Sequence, residues 1–170
     1  MVLNNMNKNL PINLIIADNN TKLKEVFEMM VNEKGIKEYY EDKLSRIIMS
    51  TYSFIIKYED KTAGFINLIK EDENNNFLFL DIGVKEEYRK KRIATEMIKF
   101  LSLIPIDDYI IVIASNNYLN KIAKKVGVKV CDYNKQHVYL LQKDKYVKFK
   151  QDKELVKLEQ YFNPTNYIKF

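Results

Sequence analysis

Leu80-Asp81-Ile82-Gly83-Val84-Lys85-Glu86-Glu87-Tyr88-Arg89-Lys90-Lys91-Arg92-Ile93-Ala94-Thr95-Glu96 is the stretch that decides the fold. Its first residues end a nearly continuous apolar run that begins at Phe77. Such a run, bounded by polar turns, reads as a strand buried on both faces near the centre of a sheet. Gly83 within it points to a bulge or a close backbone approach. From Ile93 to about Ile104 the apolar spacing turns helical and stops near Pro105. Four consecutive cations, Arg89 to Arg92, stand between strand and helix. The first N–H groups of a helix lack intrahelical acceptors, and the helix dipole adds partial positive charge there. Cations beside those donors make an anion site suited to a diphosphate. The plainer reading is a solvated basic cluster. A Walker loop is excluded, because its glycines and its Gly-Lys-Ser/Thr ending are absent.

Working toward the N-terminus, Phe77 follows the polar turn Glu71 to Asn76, which is preceded by a hairpin. Tyr52 to Tyr58 and Thr62 to Lys70 are its strands, joined through Glu59-Asp60-Lys61. Ile12 to Ala17 is a further short strand running into Asp18-Asn19-Asn20, a helix-capping cluster. Leu23, Val26, Phe27, Met30 and Val31 then recur at helical spacing until Gly35. A second helix is expected from about Lys37, with Tyr40, Leu44, Ile47 and Ile48 on one side.

Toward the C-terminus, Tyr109 to Ala114 is an apolar strand, and Ser115-Asn116-Asn117 caps a short helix reaching Val126. Gly127 closes that helix. Val128 to Tyr133 and His137 to Gln142 form a hairpin around Asn134-Lys135. The tail carries one more amphipathic helix, with Leu155, Leu158 and Phe162 inward. The order β-α-α-β-β-β-α-β-α-β-β predicts an α/β or α+β domain with a mixed sheet. Residues 1–143 are expected to form one domain with a flexible leader at 1–10. Residues 144–170 are read as a C-terminal helical extension packed on it.

Composition narrows the function. At 170 residues and 46% hydrophobic content the chain suits one globular domain. Its longest apolar runs fall far short of the ~20 residues that span a bilayer. Met1 to Leu10 holds four asparagines and no apolar core, so no secretory signal is read there. One cysteine, Cys131, excludes an internal disulfide and a Cys-rich zinc site, and residence in the cytoplasm is expected. No metal site is expected. The net charge is +5, yet the excess is mostly lysine, a skew that AT-rich codon usage produces on its own. The arginines are only Arg46, Arg89 and Arg92, and two of them flank one lysine pair.

The segment from Val84 to Ala94 resembles the GNAT superfamily of acyl-CoA-dependent N-acyltransferases. Its residues are similar to that family's strand end, Tyr-Arg step and Arg/Gln-x-x-Gly-x-Gly/Ala pyrophosphate loop. A second block, Ala114-Ser115-Asn116 through Ile122 to Val126-Gly127-Val128, resembles the family's Asn-initiated helix ending in Gly-Phe. The resemblance covers roughly residues 12–142 and implies the GNAT fold, an α/β (α+β) architecture with a mixed, mostly antiparallel central sheet flanked by helices. It implies that acetyl-CoA is the cosubstrate, its pyrophosphate held through backbone N–H groups of Arg89, Lys90, Lys91, Arg92, Ile93, Ala94 and Thr95. Backbone around Ile82 and Val84 would pair with the pantetheine, and Asn116 would meet the cofactor from the second helix.

Three positions depart from the family pattern. Arg92 stands where the loop has Gly. Ala123 stands where many members carry a thiolate-protonating tyrosine, which Tyr118 replaces only if its helix start faces the thiol. Ile111 stands where some members carry a glutamate. An amine attacking a thioester must be neutral, so the reaction calls for a base. Two candidates are read from the sequence. Asp81 lies in an apolar strand, where an unpaired carboxylate would titrate high; a salt-bridged structural Asp is the other reading. His137 falls across from Asp132 if Asn134-Lys135 is a two-residue turn, and the other reading is a surface histidine. Cys131 reads as a small buried hydrophobe.

The expected function is transfer of acetyl from acetyl-CoA to a primary amine of a small molecule or peptide by direct attack. The alternative is a catalytically silent CoA-binding domain with a regulatory role. A nucleic-acid-binding domain would need a spread stripe of cations with stacking aromatics rather than one cluster. No membrane partner is expected, and a homodimer is left open. Glu38, Glu41 and Asp42 are read either as a lure for a cationic amine or as a solvated helix face.

Overall fold

Polar turns of two residues set the two tight hairpins. Glu59-Asp60 and Asn134-Lys135 all take positive φ, between 47° and 65°, the conformation that matches the twist of paired strands. The computed structural model of the chain describes residues 2–4, 10–38 and 42–163. Its strands are β1 (Val2–Asn4), β2 (Ile12–Ile16), β3 (Ser50–Tyr58), β4 (Lys61–Ile69), β5 (Phe77–Val84), β6 (Tyr109–Ala114), β7 (Val128–Tyr133) and β8 (Gln136–Leu140). They form one sheet in the order β1-β2-β3-β4-β5-β6-β8-β7. Every neighbouring pair is antiparallel except β5 with β6.

The helices are α1 (Asn19–Thr21), a π-turn Lys22–Val26 that runs on into α2 (Phe27–Asn32), α3 (Lys43–Ile48), α4 (Ile93–Leu103), α5 (Asn117–Val126), α6 (Tyr146–Gln151) and α7 (Glu154–Phe162). Strand alternation divides the core between the two faces of the sheet. On one face Leu14, Ile56, Ile66 and Leu78 pack with Ile93, Met97 and Ile122 of α4 and α5. The other face carries two separate layers. Ile55 and Phe65 lie under Met30 and Ile47, from α2 and α3. Phe77, Phe79, Tyr109 and Ile111 lie under Phe149 and Leu158, from α6 and α7. No described helix is long and apolar enough to cross a membrane.

The mixed α/β architecture is the one expected, with four differences. Val2–Asn4, within the supposed flexible leader, pairs with β2 as an edge strand. The second helix is only Lys43–Ile48; Ile47 is buried but Leu44 and Ile48 are exposed, and Tyr40 lies outside the described residues. The tail holds two helices, because Gln151 ends α6 and Lys153 takes a left-handed turn before α7. At Gly83 there is no bulge: the β4 register runs unbroken from Ile69↔Phe79 to Gly64↔Val84.

Close approach explains the glycines instead. A Cβ on Gly64 would sit 2.2 Å from the Gly83 carbonyl oxygen, and one on Gly83 would meet the Phe65 ring at 2.5 Å. Gly64→Ala is therefore expected to cost about 1–3 kcal/mol, lowering the thermal midpoint by roughly 2–10 °C. An unchanged midpoint in calorimetry would contradict this packing.

Candidate active site

Strand β5 pairs with β6 only through Phe77↔Tyr109, Leu78↔Ile110 and Phe79↔Ile111. Beyond that point β5 stays with β4 as far as Val84, while β6 stays with β8 as far as Ala114. The two strands part like an opened clasp. A cavity of about 1030 Å³ fills the opening, with Ile82, Val84, Ala94, Ile113 and Asn116 among its walls.

The N-terminus of α4 stands at this opening. Lys90 and Arg92 are both left-handed, with φ of 63° and 62°. Arg92 is the N-cap and makes no side-chain capping bond. Its carbonyl accepts from Glu96, so Ile93, Ala94 and Thr95 present N–H groups without intrahelical acceptors. A loop of alternating hand followed by such donors concentrates N–H groups on one anion. Arg92 thus holds a left-handed backbone, at a cost of about 1–2 kcal/mol for a residue with a Cβ.

The four cations do different things. The Arg89 guanidinium turns inward: Nε donates to the Val84 carbonyl at 3.0 Å and Nη2 to the Lys34 carbonyl at 2.5 Å. It lies against Gly35, where an added Cβ would be 2.8 Å from Nη1. Arg89 thus ties the loop to the connection after α2, as does the Glu86 N–H donating to Glu33. Lys90, Lys91 and Arg92 are exposed; Lys91 lies over the Tyr58 ring and Arg92 reaches Glu96 at 3.8 Å. Asn116 caps α5 by accepting from the Leu119 N–H at 2.8 Å. Tyr118, beside it, shares a 2.8 Å hydrogen bond with Thr95, joining the first turns of α4 and α5.

On the other face of β5, Asp81 is buried and paired. Arg46 Nε and Nη2 donate to its two oxygens at 2.6 and 2.7 Å, so the unpaired carboxylate imagined from the sequence is not there. The same guanidinium lies 3.5 Å from Glu71. Burial pushes Asp81 above the usual carboxylate range, against the pull of Arg46. Burial also raises Glu71, opposed by Arg46 and reinforced by the charge of Asp81. Asn67, directly across from Asp81 on β4, accepts from the Ser53 hydroxyl at 2.6 Å, so a buried polar row crosses three strands beneath α3. Arg46, Glu71 and Asp81 all line the cavity.

The remaining sequence candidates lie elsewhere. His137 does face Asp132, with Nδ1 2.6 Å from the carboxylate. The pair is exposed on the α5 side, where His137 meets the Tyr139 ring, and it is not part of the cavity wall. Glu38 accepts from the Gly35 N–H and Asp42 caps α3, so both serve turns rather than the cavity; Glu41 lies outside the described residues. Burial, with Glu159 and Asp132 nearby, pushes the half-buried Cys131 thiol up to about 11, away from nucleophilic use. Ala123 is fully buried among the apolar residues under α5. No cluster of metal-ligating side chains occurs among the described residues. Glu71 and Arg46 were missed because each, taken alone, is an ordinary turn or helix residue.

The acetyltransferase (GNAT) family pattern matches residues 20–104, half of the chain, from α1 through the basic loop to the end of α4. The chain belongs to the GNAT acetyltransferase family. No curated protein matches it. Among solved structures it is similar to a chimera of the spermidine N-acetyltransferase SpeG from Vibrio cholerae and hSSAT. That match has 14% identity and a TM-score of 0.56, covering 81% of this chain and 98% of the other. It is similar to a probable acetyltransferase at 12% identity and a TM-score of 0.58, covering 86% and 99%. RimL, a ribosomal alpha-N-protein acetyltransferase in complex with coenzyme A, matches at 11% identity and a TM-score of 0.50, covering 79% and 96%. At these identities the likenesses establish the GNAT fold of this chain.

Two outcomes test the site's construction. Arg92→Gly is expected to be at least as stable as the wild type and about 1 kcal/mol more stable than Arg92→Ala, since only Gly relieves the left-handed strain. Urea unfolding of the three proteins checks this; equal stability of the two variants would contradict it. Arg46→Met leaves Asp81 buried without its guanidinium and is expected to cost about 3–5 kcal/mol at neutral pH. A carboxylate whose folded pKa lies above its unfolded value destabilises the fold as pH rises through that folded value. The deficit of Arg46→Met should therefore be largest at neutral pH and shrink on acidification; a pH-independent deficit would contradict the pairing.

Proposed function

We propose that this GNAT chain transfers the acetyl group of acetyl-CoA to a primary amine by direct attack, with no covalent enzyme intermediate. The observation that carries the reading is the parting of β5 from β6 directly beside the uncapped N-terminus of α4. In this reading the pantetheine arm lies in the opening alongside Ile82 and Val84, which border the cavity. The pyrophosphate lies on the N–H groups of the loop and first turn, Lys90 to Thr95, with Lys90 and Lys91 adding charge from solvent. Arg89 acts by holding that loop, and Asn116 by fixing the start of α5 beside the arm.

The thioester carbonyl develops negative charge as the amine adds, and in this reading backbone N–H groups of β5 at the opening stabilise it. The amine reaches the carbonyl from the face that carries Asp81. It attacks only when neutral, so its proton must leave first. Asp81 and Glu71, both raised by burial, hold a proton at higher pH than exposed acids do and are the proton acceptors in this reading. His137 is not carried into it, because its imidazole lies on the other side of the sheet. Residence in the cytoplasm belongs to the same proposal, and Cys131, the sole cysteine, is in keeping with it.

Ala94 lines the cavity from the first turn of α4. Ala94→Glu would set a carboxylate against the pyrophosphate, and a loss of acetyl-CoA affinity of roughly tenfold or more is expected with unchanged circular dichroism. Titration calorimetry checks it; undiminished affinity would overturn the placement of the cofactor. Thiol release on adding amines separates an enzyme from a silent binder, for which acetyl-CoA would bind without release.

A further inference from the structure

We infer that the acceptor is a small primary amine with a flat apolar body, and that the C-terminal helix α7 supplies the wall that recognises that body. The inference rests on the transferase reading above and specifies its acceptor. Side chains alternate along β5, so Phe79, Asp81 and Gly83 share the face away from α4 and α5. That face is covered on one side by α2 and α3 and on the other by α6 and α7. The cavity opens between these layers, and residues of both border it.

The α7 side of the cavity is aromatic. Tyr161 stacks on Phe79 with ring centroids 5.1 Å apart and planes at 29°. Phe162 lies 4.5 Å from the Tyr133 ring and meets Phe79 edge-on. These four rings, with Ile111 and Ile113, border the same cavity, and Tyr161 keeps 37% of its surface exposed. Phe79 lies within the stretch matched by the family pattern, residues 20–104, while Tyr133, Tyr161 and Phe162 lie beyond it.

The polar side of the cavity carries little net charge. Among the described residues, Glu71, Asp81, Arg46 and Arg89 are its ionisable acids and bases apart from tyrosines. Arg89 is turned onto the backbone of Val84 and Lys34. Arg46 grips Asp81 with two donors and reaches Glu71 only at 3.5 Å. Two carboxylates and two guanidiniums balance, so the cavity offers no surplus negative charge to a polycation. Aromatic faces in the same cavity as Glu71 and Asp81 suit an amine attached to an apolar group.

The test uses the full chain, with phenethylamine, spermidine and a short peptide of free N-terminus as acceptors and thiol release as the readout. Phenethylamine should give the highest kcat/KM. Tyr161→Ala should raise its KM by roughly tenfold while leaving acetyl-CoA affinity unchanged, and Tyr161→Phe should restore the wild-type KM. Glu71→Gln should weaken binding of phenethylamine, measured separately by calorimetry on the acetyl-CoA-free protein. Preference for spermidine or the peptide, or an unchanged KM in Tyr161→Ala, would overturn the inference while leaving the transferase reading intact. Failure of acetyl-CoA to bind, or of any amine to release thiol, would overturn both.

Discussion

Everything distinctive in this fold follows from one constraint: β5 and β6 run parallel and pair over only three residues. A parallel pair cannot be joined by a tight turn, so a crossover helix is required, and α4 is that helix. The crossover leaves the C-terminal end of β5 and starts α4 there. The same connection that makes the pair parallel therefore sets a helix N-terminus, with its unpaired donors, at the end of the sheet where the strands have already separated. The opening and the helix N-terminus beside it are consequences of one topology. The opening persists because each strand keeps an antiparallel partner on its outer side, β4 for β5 and β8 for β6.

The two faces of β5 then divide the labour. Leu80, Ile82 and Val84 lean toward the core under α4 and α5. Phe79, Asp81 and Gly83 face the gap between two helical layers that never meet across the sheet. Gly83 has no side chain because Phe65 and Ile36 already occupy the space over it. Asp81 tolerates burial because Arg46 supplies two donors and the neighbouring row is polar. In the proposed function, binding of the donor and choice of the acceptor fall on opposite sides of this one strand.

Much of this was legible in the chain. The strand Phe77–Val84 and the start of α4 at Ile93 were read at the residues where they occur, because an apolar run and a change of period mark them sharply. The Asp132–His137 register followed from a two-residue turn. Which face that pair would take did not, because Val138, Tyr139, Leu140 and Leu141 are all apolar and leave the alternation ambiguous. Of the two readings of Gly83, the close backbone approach holds and the bulge does not, since either one calls for a glycine. Arg46, Glu71 and Asp81 converge from a helix, a turn and a strand, with up to 35 residues between partners, and no local pattern announces such a meeting. The left-handed Arg92 was equally hidden, since the identity of a residue does not reveal a strained φ that the surrounding loop imposes.

In the proposed function, one acetyl-CoA occupies the opening between β5 and β6 and the first turn of α4 together. Amide hydrogen exchange with and without acetyl-CoA measures this most directly. Added protection is expected in the C-terminal half of β5, in residues 90–96 and at the start of α5, with little change in β1 to β3. Protection spread over the basic surface, or absent from β5 while the loop is protected, would contradict it.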